Sequence, residues 1–222
     1  MSPGERPPLG LIVEGHGELA SFPSLVAAIT GHQGLHVPIE NARGYGGVVS
    51  NLQDHLDDLV SIKHPWGVIV CVDLRDPLCD GLFATCADLR AHVEAGIGDW
   101  IATRQGSDVF EPLPETIRVV IQVQVFESWW LADAESVRAL AEFEIDEEEC
   151  HWTNVDEEVT NPARWLRDHM VNPINLKSPS LARTVVAGMQ PEQARARSPS
   201  FDKFHREVST AVSGWLAAIC AA

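Results

Sequence analysis

The chain has no apolar run near the roughly 20 residues needed to span a bilayer as a helix. Its first residues, Met1 to Pro8, lack the basic start and apolar core of a secretory signal. A cytoplasmic location, with no membrane partner, is therefore the expectation. The five cysteines (Cys71, Cys79, Cys86, Cys150 and Cys220) are odd in number, widely spaced and free of any Cys-x-x-Cys pair. That excludes a disulfide framework and a zinc ribbon, and leaves Cys71, inside an apolar run, as a core residue. Basic charge is scarce too: 16 Lys and Arg face 32 Asp and Glu, for a formal net charge of -16. A sequence-independent nucleic-acid binder needs a basic face, which this chain lacks as a whole. A nucleic-acid substrate would need a local basic edge or a second subunit. Part of the acidity sits in Glu142 to Glu149 and in Asp156-Glu157-Glu158, which read as solvated segments.

What is present is an ordinary globular composition: 222 residues, 45% hydrophobic, enough for a sizeable core. Over residues 1–133, strand-like and helix-like patterns alternate. Strands are predicted at 9–14, 36–39, 66–72 and 116–126, and helices at 18–31, 48–62 and 83–104. Gly44-Tyr45-Gly46-Gly47 reads as a flexible loop. Such alternation predicts an α/β fold with a small parallel sheet of about four strands. From 134 to 222 the pattern is helical, punctuated by Asn161-Pro162, Asn172-Pro173, Ser178-Pro179 and Ser198-Pro199, and it ends in a helix over 201–219. This segment reads as a C-terminal helical extension packed on the sheet.

Three of the apolar runs end in an acid. Leu11-Ile12-Val13 leads to Glu14, Val68 to Val72 to Asp73, and Val119 to Phe126 to Glu127. On a parallel sheet all three would emerge at one edge, where open α/β sheets bind ligands. Clustered carboxylates repel unless a cation holds them, and hard oxygen donors suit Mg2+ or Mn2+. Gly15 lets the chain turn after the first strand, and the next helix start faces an anion well. No Gly-Lys-Ser/Thr follows, so it is not a P-loop, and the third glycine of a dinucleotide fingerprint is missing. Glu14 and Glu18 equally suit a helix start, where acids favour the dipole. Asp73-Leu74-Arg75-Asp76 puts two acids three apart, with Arg75 able to meet a phosphate oxygen or a carboxylate. Trp129 and Trp130 read as core. Asp133 reads as a supporting or solvated acid. His16 stands in the first loop, where it could assist proton transfer or remain a surface residue. Lys177, Arg183, Arg195, Arg197 and Lys203 could line a phosphate track.

The run Val13-Glu14-Gly15-His16-Gly17-Glu18, followed by Asp73 after a later strand, resembles the Toprim fold. That is the magnesium-binding domain of topoisomerases, bacterial primases and OLD-type nucleases. The finer resemblance is to Toprim-like proteins associated with ATPase-linked anti-phage defence. It extends to Glu127-Ser128-Trp129-Trp130-Leu131-Ala132-Asp133, Asn161-Pro162-Ala163-Arg164-Trp165-Leu166 and Arg197-Ser198-Pro199-Ser200-Phe201-Asp202-Lys203-Phe204. It implies an Mg2+-dependent nuclease. Glu14 and Asp73 would act as catalytic and metal-binding residues, Asp76 and Glu127 as further ligands, and Glu18 as a proton carrier. The usual pair in that fold is Asp-x-Asp, whereas the spacing here is Asp73-x-x-Asp76. Arg75, Lys177, Arg197 and Lys203 would contact phosphate. The alternative reading is a non-catalytic or conditionally active subunit that binds and regulates a partner ATPase. A homo-oligomer is compatible with either. A small phosphohydrolase fits less well, because the Asp-x-Asp of haloacid-dehalogenase phosphatases is absent.

Overall fold

The computed structural model describes residues 1–105 and 112–222. Four strands, β1 (Leu9–Val13), β2 (Ile39–Asn41), β3 (Gly67–Asp73) and β4 (Thr116–Gln122), form one all-parallel sheet in the order β2-β1-β3-β4. The helices are α1 (His16–Thr30), α2 (Tyr45–Ser50), α3 (Leu52–Lys63), α4 (Arg75–Cys79), α5 (Cys86–Gln105), α6 (Glu127–Ala132), α7 (Ala134–Arg138), α8 (Val155–Glu158), α9 (Pro162–Asp168), α10 (Pro179–Gly188), α11 (Pro191–Arg197) and α12 (Pro199–Ala221).

The strands read as continuous apolar runs because helices cover both faces of the sheet. Alternate residues sort to opposite sides. Leu9, Leu11, Val13, Ile69, Cys71 and Val120 face a core shared with α1, α6, α10 and α12. Ile12, Val68, Val70, Val72, Val119 and Ile121 face a second core with α3 and α5. The expected C-terminal extension supplies much of the first core. Phe201, Phe204 and Val208 of α12 lie within it, and Trp129 donates its indole N–H to Ser200 Oγ at 2.9 Å. Residues 134–222 therefore form one wall of the sheet's own packing.

Two local expectations change. Gly44 to Gly47 is not a loop: the chain enters α2 at Tyr45, and α2 and α3 divide what the periodicity suggested was one helix. Gly47 permits the close packing of α2 on the end of β2, since a Cβ there would lie 1.8 Å from the Ala42 carbonyl oxygen. The fourth strand is also shorter than its apolar run. It stops at Gln122, and Gln124 takes a left-handed φ of 66° that turns the chain into α6. Ser128 Oγ closes that turn by donating to the Val123 carbonyl at 2.8 Å.

Among the described residues no helix is long and apolar enough to cross a membrane.

Candidate functional site

From β1 the chain crosses to β2 on one side, then returns past β1 to β3 on the other. The direction of winding reverses between β1 and β3, the place where open parallel sheets leave a crevice at their carboxyl ends. Glu14 follows β1 and Asp73 ends β3, so both stand at that crevice. A cleft of about 420 Å³ opens there, lined by Glu14, Glu18, Asp73, Asp76 and Glu127 among others. Such a volume lies in the usual range for small-molecule sites.

Each acid is placed by a different element. Main-chain bonds brace the loop after β1: Gly44 N–H donates to the Glu14 carbonyl at 2.8 Å, and Ala42 N–H to Val13 at 2.8 Å. The Glu14 Oε1 then accepts the Asp73 N–H at 2.8 Å, tying the two strand ends together. Gly15 caps α1, and its missing Cβ leaves room for Glu18 to fold back; a Cβ would lie 2.6 Å from Glu18 Oε2. Glu127 opens α6 rather than ending a strand. It reaches the cleft because the Gln124 turn brings α6 over the sheet edge.

The electrostatics are unfavourable for so many charges. Burial pushes the Glu14 carboxyl up to about 8, against the Asp73 N–H bond, with Glu18 and Asp76 adding repulsion. Burial likewise raises Glu18 to about 7, and Glu127 adds to it. Asp73 is raised well above the ordinary range by burial, then by Glu14, Glu18, Glu127 and Asp76. Glu127 is raised by burial, opposed by Lys177, Arg75 and Arg167. The Asp73 Oδ1 atom is buried without a hydrogen-bond partner. Buried acceptors normally have one, so this oxygen is a place where a ligand or cation would be stabilised.

Hard oxygen donors facing one cleft, one of them orphaned, fit a divalent cation in chemistry. Glu14, Asp73 and Glu127, with Asp76 at the margin, are the residues that would hold it. Among the described residues no group of three or more His, Cys, Asp or Glu side chains is placed to hold a metal ion, so these carboxylates would have to draw together to do so.

The model of a family described as a domain of unknown function, DUF4276, matches residues 13–209. The chain belongs to the DUF4276 family. No curated protein and no solved structure matches it. The matched span of this DUF4276 chain contains every residue discussed at the cleft.

The structure sorts the remaining expected site residues. Arg75 and Lys177 line the cleft. Arg75 donates to Asp76 Oδ1 at 3.1 Å and to Asn161 Oδ1 at 3.2 Å, so α9 of the helical part holds it. Asp76 is half exposed, and much of its charge is answered by Arg75. Arg197 is not at the cleft: both of its terminal nitrogens donate to Glu135 at 2.8 Å. Lys203 is not there either; it lines a separate groove beside β4 with Ile117, Arg118 and Glu207. Arg195 is paired with Asp202 and Glu192, and Arg183 is exposed on α10. The phosphate track expected from the tail reduces to Lys177. Sequence position could not reveal this, because partners such as Glu135 lie 62 residues away.

Asp133 is neither solvated nor at the cleft. It is buried and accepts the Gln190 N–H at 2.7 Å, joining α6 to the α10–α11 turn. Trp129 and Trp130 are both core, as expected, but Trp130 also lines the cleft, and its indole N–H has no partner. His16 is exposed beside the cleft, 3.2 Å from Asn41 Nδ2. The pattern reading missed Arg43, Tyr45 and Asn161. Arg43 and Tyr45 flank Gly44, whose glycine-rich surroundings were the available signal.

Proposed function

We propose that this protein is a metal-dependent phosphodiesterase acting on nucleic-acid backbones. The observation that carries the reading is the collection of Glu14, Glu18, Asp73 and Glu127 in one cleft at the reversal point of a parallel sheet, with Asp73 Oδ1 buried and unpartnered. A cation held by Glu14, Asp73 and Glu127 would supply Lewis acidity and neutralise charge at the phosphate. Glu18 and Glu14 carry the proton chemistry. With its carboxyl pushed up to about 7, Glu18 is divided between its two protonation states at neutral pH and can take a proton from the attacking water and return it, while Glu14 would do so only when it is not holding the cation. The water oxygen bonds to phosphorus and the bond to the leaving oxygen breaks. One water proton passes through the carboxylate to the leaving oxygen. Lys177 and Arg75 balance the charge of the bound phosphate. Support also comes from the resemblance to Toprim nucleases in Glu14, Asp73 and the segment from Glu127 to Asp133. A role in cytoplasmic anti-phage defence belongs to the same proposal.

One observation favours a second reading, a subunit active only with a partner ATPase. Three basic residues line the cleft against five acids, on a chain of net charge -16. Such a surface gathers polyanions poorly unaided.

The test is incubation of the full chain with plasmid, linear DNA and RNA in Mg2+ or Mn2+, with cation binding followed by calorimetry. Cleavage that Glu14→Gln abolishes supports the first reading, and cleavage only with the co-purified ATPase supports the second. Equal inactivity of wild type and Glu14→Gln under all conditions, with no cation bound, rejects both.

A further inference from the structure

We propose that the cleft selects one nucleotide-sized phosphodiester, a small diester or the terminal unit of a single strand, over duplex nucleic acid. This deepens the phosphodiesterase reading and rests on it for the chemistry, though not for the selection by size and charge.

Depth is the first argument. Glu14, Glu18 and Glu127 are 9%, 5% and 9% exposed, so they form a floor rather than a rim. A phosphate must enter the cavity of about 420 Å³ to approach them. That space suits one nucleotide unit, since clefts of ~300–1,000 Å³ enclose ligands of about that size. The walls come from both parts of the chain: Arg43, Gly44 and Tyr45 on one side, Ala163, Leu176 and Lys177 of the helical part on the other.

Charge is the second argument. Ten base pairs of duplex carry about 20 negative charges. The cleft offers three basic side chains, Arg43, Arg75 and Lys177, against five acids. Arg75 is already engaged by Asp76 and Asn161. The tail cations that might have extended a basic track lie elsewhere or are paired with acids, as Arg197 is with Glu135. One or two phosphate charges can be matched here, and a duplex footprint cannot.

The full chain is titrated with thymidine 5′-monophosphate and, separately, with a short blunt duplex, at about 0.15 M salt, where exposed charges are screened beyond ~8 Å. Turnover of thymidine 5′-(p-nitrophenyl) phosphate and of the duplex is measured with Mn2+. The nucleotide is expected to bind at least tenfold more tightly than the duplex. Lys177→Gln should weaken it severalfold without lowering Tm. Duplex binding as tight as the nucleotide's, or binding of neither, overturns the inference. Preferential nucleotide binding with no hydrolysis of either diester upholds the size selection and removes the phosphodiesterase reading instead.

Discussion

Glu14→Gln should make the protein more stable at neutral and alkaline pH while removing its proposed activity. In the unfolded chain this carboxyl titrates near 4.5, and in the fold burial raises it to about 8. Between those values the native state holds a proton that the unfolded state has lost. Stability therefore falls as pH rises through that window. At about 1.4 kcal/mol per unit, the shift from 4.5 to about 8 sets a ceiling of about 5 kcal/mol above pH 8. Rearrangement and water entry reduce this, and about half is a realistic figure for the isolated protein. Glutamine keeps an oxygen for the Asp73 N–H and carries no charge, so it escapes the penalty. For a chain of this length about 2.5 kcal/mol corresponds to a rise in Tm of roughly 5–10 °C. Thermal melts of both proteins between pH 5 and 9, in chelator, read it directly. The difference should be small near pH 5 and grow towards pH 8. Mg2+ or Mn2+ should then raise the wild-type Tm and narrow the gap, since a cation relieves the same repulsion. A variant no more stable than wild type at pH 8, or a difference independent of pH, would refute the reasoning.

Two glycine substitutions separate function from folding. Gly15→Ala places a Cβ 2.6 Å from Glu18 Oε2, the mobile end of a side chain that can swing away. It should lower phosphodiesterase turnover at least tenfold with Tm changed by only a few degrees. Gly47→Ala places a Cβ 1.8 Å from a backbone carbonyl, which cannot yield locally. It should cost on the order of 3 kcal/mol and show as a lower Tm or loss of soluble protein, whatever the assay conditions.

The sheet and the first two site residues were legible for one reason: both depend on local pattern. A doubly covered parallel strand must be apolar throughout, so Leu9–Val13 and Gly67–Asp73 announce themselves, and the acids that end them are conspicuous. Glu127 was found for a partly mistaken reason. Its apolar run looks like strand up to Phe126, yet the strand stops at Gln122 because Gln124 adopts a left-handed turn that side-chain polarity does not encode. The cations were least legible. Arg197 and Lys177 look alike in sequence, but one meets Glu135 from α7 and the other reaches the carboxylate cleft. Only tertiary packing decides which acid a lysine or arginine meets.

That difference in legibility bears on what the cleft is for. Elsewhere the chain uses buried acids to tie elements together: Asp156 accepts from Ser198 and from the Ser200 N–H, and Asp133 accepts the Gln190 N–H on Oδ2, although its Oδ1, like that of Asp73, has no partner. These acids join elements together. At the cleft the same chain buries Glu14, Glu18 and Glu127 near one another and leaves Asp73 Oδ1 with nothing to accept from. Packing alone would favour replacing such a group with neutral residues, because a buried cluster of like charge destabilises the fold. Departures from local consistency of this kind concentrate at functional sites. The crowding of buried Glu14, Glu18 and Glu127 beside Asp73 is what sets the cleft apart. Their position at the reversal point between β1 and β3 is where open parallel sheets bind ligands, and the proposed phosphodiesterase chemistry would take place there.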